Sequence, residues 1–378
     1  MSDIPLNNIH AQRDVIGDEI DEAIARVIAH GRYIMGPEVA EFEAAMAAQV
    51  GDDNVQAIAC ANGTDALVLA YHALGLQPGD AVICPSFTFV ATAEAVAALG
   101  GVPVFADVED GGYNLSAASV RRAAKMATAR GMTVRGICAV DLFGLPASYG
   151  SLQEVASELG CWLVADAAQS FGASVDGQRV GSLASVTTTS FFPAKPLGCY
   201  GDGGMVFTTD GAIADRLRSL RIHGKGSDKY DNVEVGYNSR LDTLQAAVLL
   251  PKLRQLEEEV AARQRIAERY SAGLADAVTA PLVPAGYRSA WAQYTIVTEV
   301  RDEVQSALTA AGIGSAIYYP KPLHQQTGYS HFDSADSELD RTEWLTPRVL
   351  SLPMFPYLED SEIDRVVETV RSVVDAST

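Results

Sequence analysis

The apolar run Cys161-Trp-Leu-Val-Ala165 ends on Asp166-Ala-Ala-Gln169, and further along Ser190-Phe-Phe-Pro-Ala-Lys195 closes a second stretch rich in Thr, Ser and Phe. The first reads as a buried strand whose carboxyl end carries an acid, the second as a strand that delivers a lysine. Nothing between them reads as an independent domain. An acid and a lysine at strand ends meet the needs of pyridoxal phosphate (PLP). The lysine amine forms the Schiff base, and the acid partners the pyridine nitrogen. A carboxylate about 4 Å from a pyridinium gains on the order of 4 kcal/mol at an effective dielectric near 20. That is roughly three pKa units, enough to keep the ring protonated as an electron sink. A surface lysine and a helix-capping aspartate account for the same two residues, and from these two alone that is the stronger reading.

Working outward, short apolar runs alternate with helical patterns from Val55 to Phe207, which points to an α/β sheet with crossover helices. Val55–Cys60, Ala81–Cys84, Val102–Ala106, Val134–Val140, Trp162–Ala165, Val186–Phe192 and Gly204–Phe207 read as seven strands, most of them parallel. Helices fall at Asp65–Leu74 and Ala91–Leu99, and around Leu152, Val155, Ala156 and Leu159, which share one face. The character changes after Gly236. Leu241–Tyr270 is a long helical pattern, expected to kink at Pro251, which lacks an amide hydrogen. Its stretch Glu257–Arg265, with Glu259 and Arg263 at i, i+4, reads as an exposed charged face. Ala290–Thr298, Val304–Ala311, Gly314–Tyr319 and Ser361–Val374 suggest a smaller α+β unit. A chain of 378 residues exceeds the ~250–300 at which single cores stop growing. The expected division is a large domain over 1–250 and a small one over 251–378.

Composition excludes several functions. With 28 basic and 48 acidic side chains the formal net charge is −20, which disfavours nucleic acid and anionic membranes as partners. An anionic ligand then needs a local basic pocket. No run approaches the roughly 18 apolar residues of a membrane span, and the polar start Met1–Asn8 lacks a secretory core. Cys60, Cys84, Cys138, Cys161 and Cys199 stand singly, which argues for a reducing cytoplasm and against disulfides or zinc. The six histidines show no metal-ligand spacing either, so no metal is expected.

Other residues bear on the pair. Asn62-Gly63-Thr64-Asp65 lies between a strand and a helix, where free amides and a positive dipole end suit a phosphate. Taken alone, an ordinary turn capped by Asn or Thr is the stronger reading. Phe89, in the Ser86-Phe-Thr-Phe89 connection at the same sheet edge, suits stacking on a flat heterocycle or simply joins the core. Ser190 is placed to bond a phosphate and Gln169 to reach a phenolic oxygen, and both are otherwise ordinary polar residues.

Together, Ala61-Asn-Gly-Thr-Asp-Ala-Leu67, the Asp166/Gln169 pair, Ser190-Phe-Phe-Pro-Ala-Lys-Pro-Leu-Gly-Cys-Tyr-Gly-Asp-Gly-Gly204 and Gly236-Tyr-Asn-Ser-Arg-Leu-Asp-Thr-Leu-Gln-Ala-Ala247 resemble the DegT/DnrJ/EryC1/StrS family. The likeness extends from Gly31-Arg-Tyr-Ile-Met-Gly-Pro-Glu-Val39 to Tyr319-Pro-Lys-Pro-Leu-His324. It implies a PLP-dependent nucleotide-sugar aminotransferase of fold type I, with a seven-stranded large domain and a smaller C-terminal one. Lys195 would be the Schiff-base lysine and proton shuttle. Asp166 would pair with the pyridinium, Gln169 with the ring hydroxyl, and Gly63, Thr64 and Ser190 with the phosphate, while Phe89 packs on the ring. Asn238 would reach the cofactor phosphate of a neighbouring subunit, implying a homodimer with shared sites. A branch that dehydrates sugars carries histidine in place of the lysine, so Lys195 implies transamination.

The wording from Phe191 to Gly204 is similar to that of family members that aminate C3 of a UDP-linked 3-keto-N-acetylglucosaminuronate, with L-glutamate as donor. The implied setting is cell-surface polysaccharide synthesis, such as lipopolysaccharide O-antigen. Arg240 would bind the sugar carboxylate, since guanidinium matches carboxylate bidentately. Pairing with Asp242 is its structural alternative. Gly31 and Tyr33 resemble the sugar-contacting turn of the family, and Tyr318, Tyr319 and His324 its C-terminal substrate motif. The family commonly has histidine where Tyr318 stands, a residue that donates a hydrogen bond without carrying charge near neutral pH. Arg221, His223, Lys225 and Lys229 form a basic cluster that could face a pyrophosphate or simply solvent. A dTDP-linked 3- or 4-keto-6-deoxysugar, which has no carboxylate, is the alternative substrate.

Overall fold

A computed structural model describes residues 3–228, 230–335 and 339–377. Seven strands form one sheet: β1 (Gln56–Cys60), β2 (Ala81–Pro85), β3 (Val102–Ala106), β4 (Val134–Val140), β5 (Trp162–Asp166), β6 (Val186–Ser190) and β7 (Gly204–Thr208). Their spatial order is β1-β7-β6-β5-β4-β2-β3. Only β7 runs against its neighbours; the β6–β5, β5–β4, β4–β2 and β2–β3 pairs are parallel. Helices cover both faces, so the strands are apolar on both sides and β2 is buried throughout.

Register decides what meets at the sheet edge. Val140 is level with Asp166, and Asp166 with Thr188. Gly204 is level with both Cys60 and Ser190. The carboxyl ends of β1, β5 and β6 therefore open on one edge, and the turns that follow them carry Gly63, Gln169 and Lys195. That edge is where open α/β sheets place ligands.

A second core gathers Ile266, Tyr270, Leu274, Tyr294, Ile296, Leu308, Leu352 and Val366, and it includes Ile4 from the N-terminal segment. Its two-stranded sheet pairs Tyr294–Val297 with Val349–Leu352. Gly314–Tyr319 forms no strand there; only Ala316 bridges to Ser351.

The long helix Thr243–Leu274 serves both cores and contains the 250/251 position. The helix continues through Pro251 without interruption. One missing backbone bond is outweighed by packing, since Leu249, Leu256 and Val260 enter the core of the large sheet and Ile266, Tyr270 and Leu274 the second. Glu259 and Arg263 do not form the exposed face expected of them. Both are buried where the helix passes between the cores.

Candidate active site

Asp166 is 5% exposed at the end of β5. Its Oδ2 accepts from Thr92 Oγ1 at 2.8 Å and its Oδ1 from the Ala168 amide at 3.2 Å. Burial raises the pKa of this acid, while Thr92, Ala168 and the charge of Lys195 pull it back. Lys195 is half-buried on the Phe191–Gly198 loop, whose fold is fixed by Lys195 N donating to Phe192 O at 2.9 Å. Burial lowers the ammonium pKa and Asp166 raises it. Each residue thus lies within electrostatic reach of the other.

Gln169 follows in the turn after Asp166. Its Oε1 accepts from the Phe143 amide at 2.7 Å, and its Nε2 donates to Tyr319 Oη at 3.4 Å. Phe143 holds a left-handed φ of 61° to present that amide. Tyr319 also meets the rings of Phe87 and Phe89, with centroids 6.2 and 6.4 Å apart. Phe89 is exposed, leaving a ring face at the mouth of the site.

Asn62 caps the helix Gly63–Ala73 by accepting from Asp65 N at 2.8 Å, so the amides of Gly63 and Thr64 are the ones a helix start leaves without an intrahelical partner. A Cβ at Gly63 would lie 2.7 Å from Ser190 Cβ, and one at Gly204 would lie 2.2 Å from Asn62 O. Only glycine allows the two strand ends to close this cradle around Ser190.

A second group forms around the start of the long helix. Thr243 N donates to Tyr33 O at 3.0 Å, and Ile34 bridges Asp242. Gly31 ends the preceding helix with a φ of 70°. Arg240 is half-buried, and among the described residues it makes neither an ion pair with Asp242 nor any hydrogen bond. Asn238 is exposed, and its neighbour Ser239 accepts from Ala61 N beside the phosphate turn. No hydrogen bond among the described residues joins Tyr33 or Arg240 to Asp166 or Lys195.

Other candidate residues have protein partners or face solvent. Arg221 is buried, ion-pairs with Glu43 and donates to Ala59 O at 2.6 Å, so it is a structural cation and not a pyrophosphate ligand. His223 and Lys225 are exposed, and Lys229 lies outside the described residues. Both ring nitrogens of His324 are engaged, with Ser86 Oγ at 2.6 Å and Glu343 Oε1 at 3.0 Å, so it orders the Ser86–Phe89 loop. Tyr318 is half-buried beside Tyr319, their rings 5.7 Å apart.

Sequence reading missed Thr92, Phe143 and Asp141. Asp141 follows β4 much as Asp166 ends β5, a legible signal, but its carboxylate turns inward. It accepts from Ala147 N, Tyr149 Oη and Ser170 Oγ at 2.8, 2.7 and 2.6 Å, and burial raises its pKa to about 7. By holding Ser170 it steadies the turn that bears Gln169.

The residues present fit PLP. A glycine-closed anion cradle, a buried acid, a desolvated lysine facing that acid, an amide donor and an exposed ring face stand along one sheet edge. Among the described residues no cluster has metal-ligand character, and no helix is long and apolar enough to cross a membrane.

Comparison with known proteins agrees. The model of the DegT/DnrJ/EryC1/StrS aminotransferase family matches residues 14–371. The chain is 44% identical to a UDP-2-acetamido-2-deoxy-3-oxo-D-glucuronate aminotransferase of Pseudomonas aeruginosa, covering 95% of this chain and 96% of that one. It is 41% identical to a UDP-N-acetyl-3-dehydro-alpha-D-glucosamine 3-aminotransferase of Acidithiobacillus ferrooxidans, covering 97% of each. A crystal structure of a DegT DnrJ EryC1 StrS aminotransferase from Brucella abortus superposes with a TM-score of 0.95 at 49% identity, covering 99% of both chains. The chain belongs to this family and is a PLP-dependent sugar aminotransferase.

Proposed function

We propose that this member of the DegT/DnrJ/EryC1/StrS aminotransferase family moves the amine of L-glutamate onto C3 of a UDP-linked 3-keto-N-acetylhexosaminuronate. The observation that carries the substrate is Arg240, a half-buried guanidinium that makes no ion pair or hydrogen bond among the described residues of a strongly acidic chain. The name of the 44% identical relative supports the same sugar. The setting we infer is a cytoplasmic step in cell-surface polysaccharide synthesis, such as O-antigen. Five free cysteines suit that compartment.

Bound at this sheet edge, PLP supplies an electron sink and a carrier for the amine. Gly63, Thr64 and Ser190 would hold its phosphate, Asp166 would hold the proton on its ring nitrogen, and Phe89 would cover one ring face. The Phe143 amide fixes the Gln169 carbonyl and one Nε2 hydrogen goes to Tyr319, so the second Nε2 hydrogen would donate to the ring oxygen. Lys195 takes the α-proton from the amino donor at Nζ and returns a proton to C3 of the sugar. Burial depresses its pKa and Asp166 opposes that, so the site shifts Nζ toward the neutral amine that proton abstraction needs.

Arg240→Ala tests the substrate. Removing the partner of a bound carboxylate should lower kcat/KM for the uronate roughly 100-fold. The same change should alter amination of UDP-3-keto-N-acetylglucosamine or a dTDP-keto-deoxysugar, neither of which has a carboxylate, by about threefold at most. Equal losses on all three would refute the uronate assignment.

The proposed assembly is a homodimer in which Asn238 completes the phosphate site of the partner. Support comes from exposed apolar side chains in the same region, including Tyr33, Ile34, Phe192, Val233 and Val235. Lys195→Ala and Asn238→Ala variants, each inactive alone, should recover about a quarter of the wild-type sites on random mixing. A mixture no more active than its components would rule out shared sites.

A further inference from the structure

In a chain of net charge −20, one small cavity collects cations. A cavity of about 30 Å³ adjoins the Pro193–Gly198 loop and is lined by Lys195, Lys252 and Arg263, with Glu259 as its only carboxylate. Asn7, Gln12 and Tyr357 complete its polar wall. A space of this size takes an ion of halide dimensions.

The one carboxylate is already committed. Glu259 Oε1 accepts from Gln12 Nε2 at 2.6 Å and from Tyr357 Oη at 2.7 Å, and its Oε2 lies 3.7 Å from Arg263 Nη1. That distance is an ion pair but not a hydrogen bond. Arg263 is 7% exposed, and its buried Nη1 has no hydrogen-bond partner. Lys252, 3% exposed, gives one of its donors to Gly198 O at 2.7 Å. Two buried cations therefore face one carboxylate that is shared with a glutamine and a tyrosine. A guanidinium buried with unmet donors is strongly unfavourable, and a bound anion relieves that.

We propose that this cavity binds a small monovalent anion of halide type, held by Arg263 and Lys252. The anion would tie three parts together: the loop that carries Lys195, the long helix and the Pro356–Tyr357 segment. It would be a resident ion that steadies the position of Lys195, separate from the sugar and the amino donor.

Crystals of the holoenzyme grown in sodium bromide provide a direct test. The expected result is an anomalous peak in contact with the Arg263 guanidinium; a cavity without anomalous signal overturns the proposal. In solution, chloride in place of gluconate at equal ionic strength should raise the unfolding midpoint of the holoenzyme by roughly 2–4 °C. Arg263→Met should lose that rise, and an equal rise in both proteins would count against the site. If Arg263→Met does not fold, the bromide experiment on the wild type decides alone. Saturating L-glutamate separates a resident halide from the carboxylate of a donor amino acid. Bromide retained supports the resident ion, and bromide displaced overturns it.

Discussion

Lys195→Ala should abolish turnover, with kcat falling by at least about 10⁴-fold, the upper range for a positioned acid–base group. The same protein should lose the long-wavelength absorbance of a lysine-linked cofactor while still binding PLP through the Gly63–Ser190 cradle. The argument rests on the surroundings of the amine. Lys195 is the lysine whose charge acts on Asp166, and burial has lowered its pKa toward the neutral form. The Phe191–Gly198 loop is held by its own backbone bonds and not by the lysine side chain, so the fold should survive the change. Circular dichroism and an unfolding midpoint close to that of the wild type would verify this. A variant that keeps both the absorbance and turnover would show that Lys195 is not the reacting amine.

Much of this site could be read from the sequence because it lies on strand ends. An apolar strand announces itself by composition, and the polar residue that closes it is placed by the parallel sheet, as with Asp166, Ser190 and the Gly63 turn. The residues whose surroundings the sequence leaves open depend on distant contacts. Arg221 is four positions from Lys225, yet Glu43 and the end of β1 bury it. His324 satisfies Ser86, more than two hundred residues earlier in the chain. Glu259 and Arg263 have the spacing of a solvated helix pair, and only the arrival of Gln12 and Tyr357 on that face encloses them.

Asp166→Asn should be the other severe change, and its pH behaviour identifies the cause. The neutral amide keeps the shape of the side chain and can still bond Thr92, but the charge opposite the ring nitrogen is lost. A pair about 4 Å apart at an effective dielectric near 20 is worth roughly 4 kcal/mol, which corresponds to about 10³-fold in rate. Asp166 must be ionised to act. Burial raises its pKa above the usual carboxylate value, and Thr92, the Ala168 amide and Lys195 oppose that rise. Activity of the wild type should therefore be present above the pKa of Asp166 in the folded protein and fall as pH drops through it. The asparagine variant should lack that acidic limb and show low, flat activity over the same range. Asp166 also raises the pKa of Lys195, so in the cofactor-free protein the substitution should shift the lysine titration downward. An acidic limb that persists unchanged in Asp166→Asn would assign it to another group and remove Asp166 from the role of ring partner.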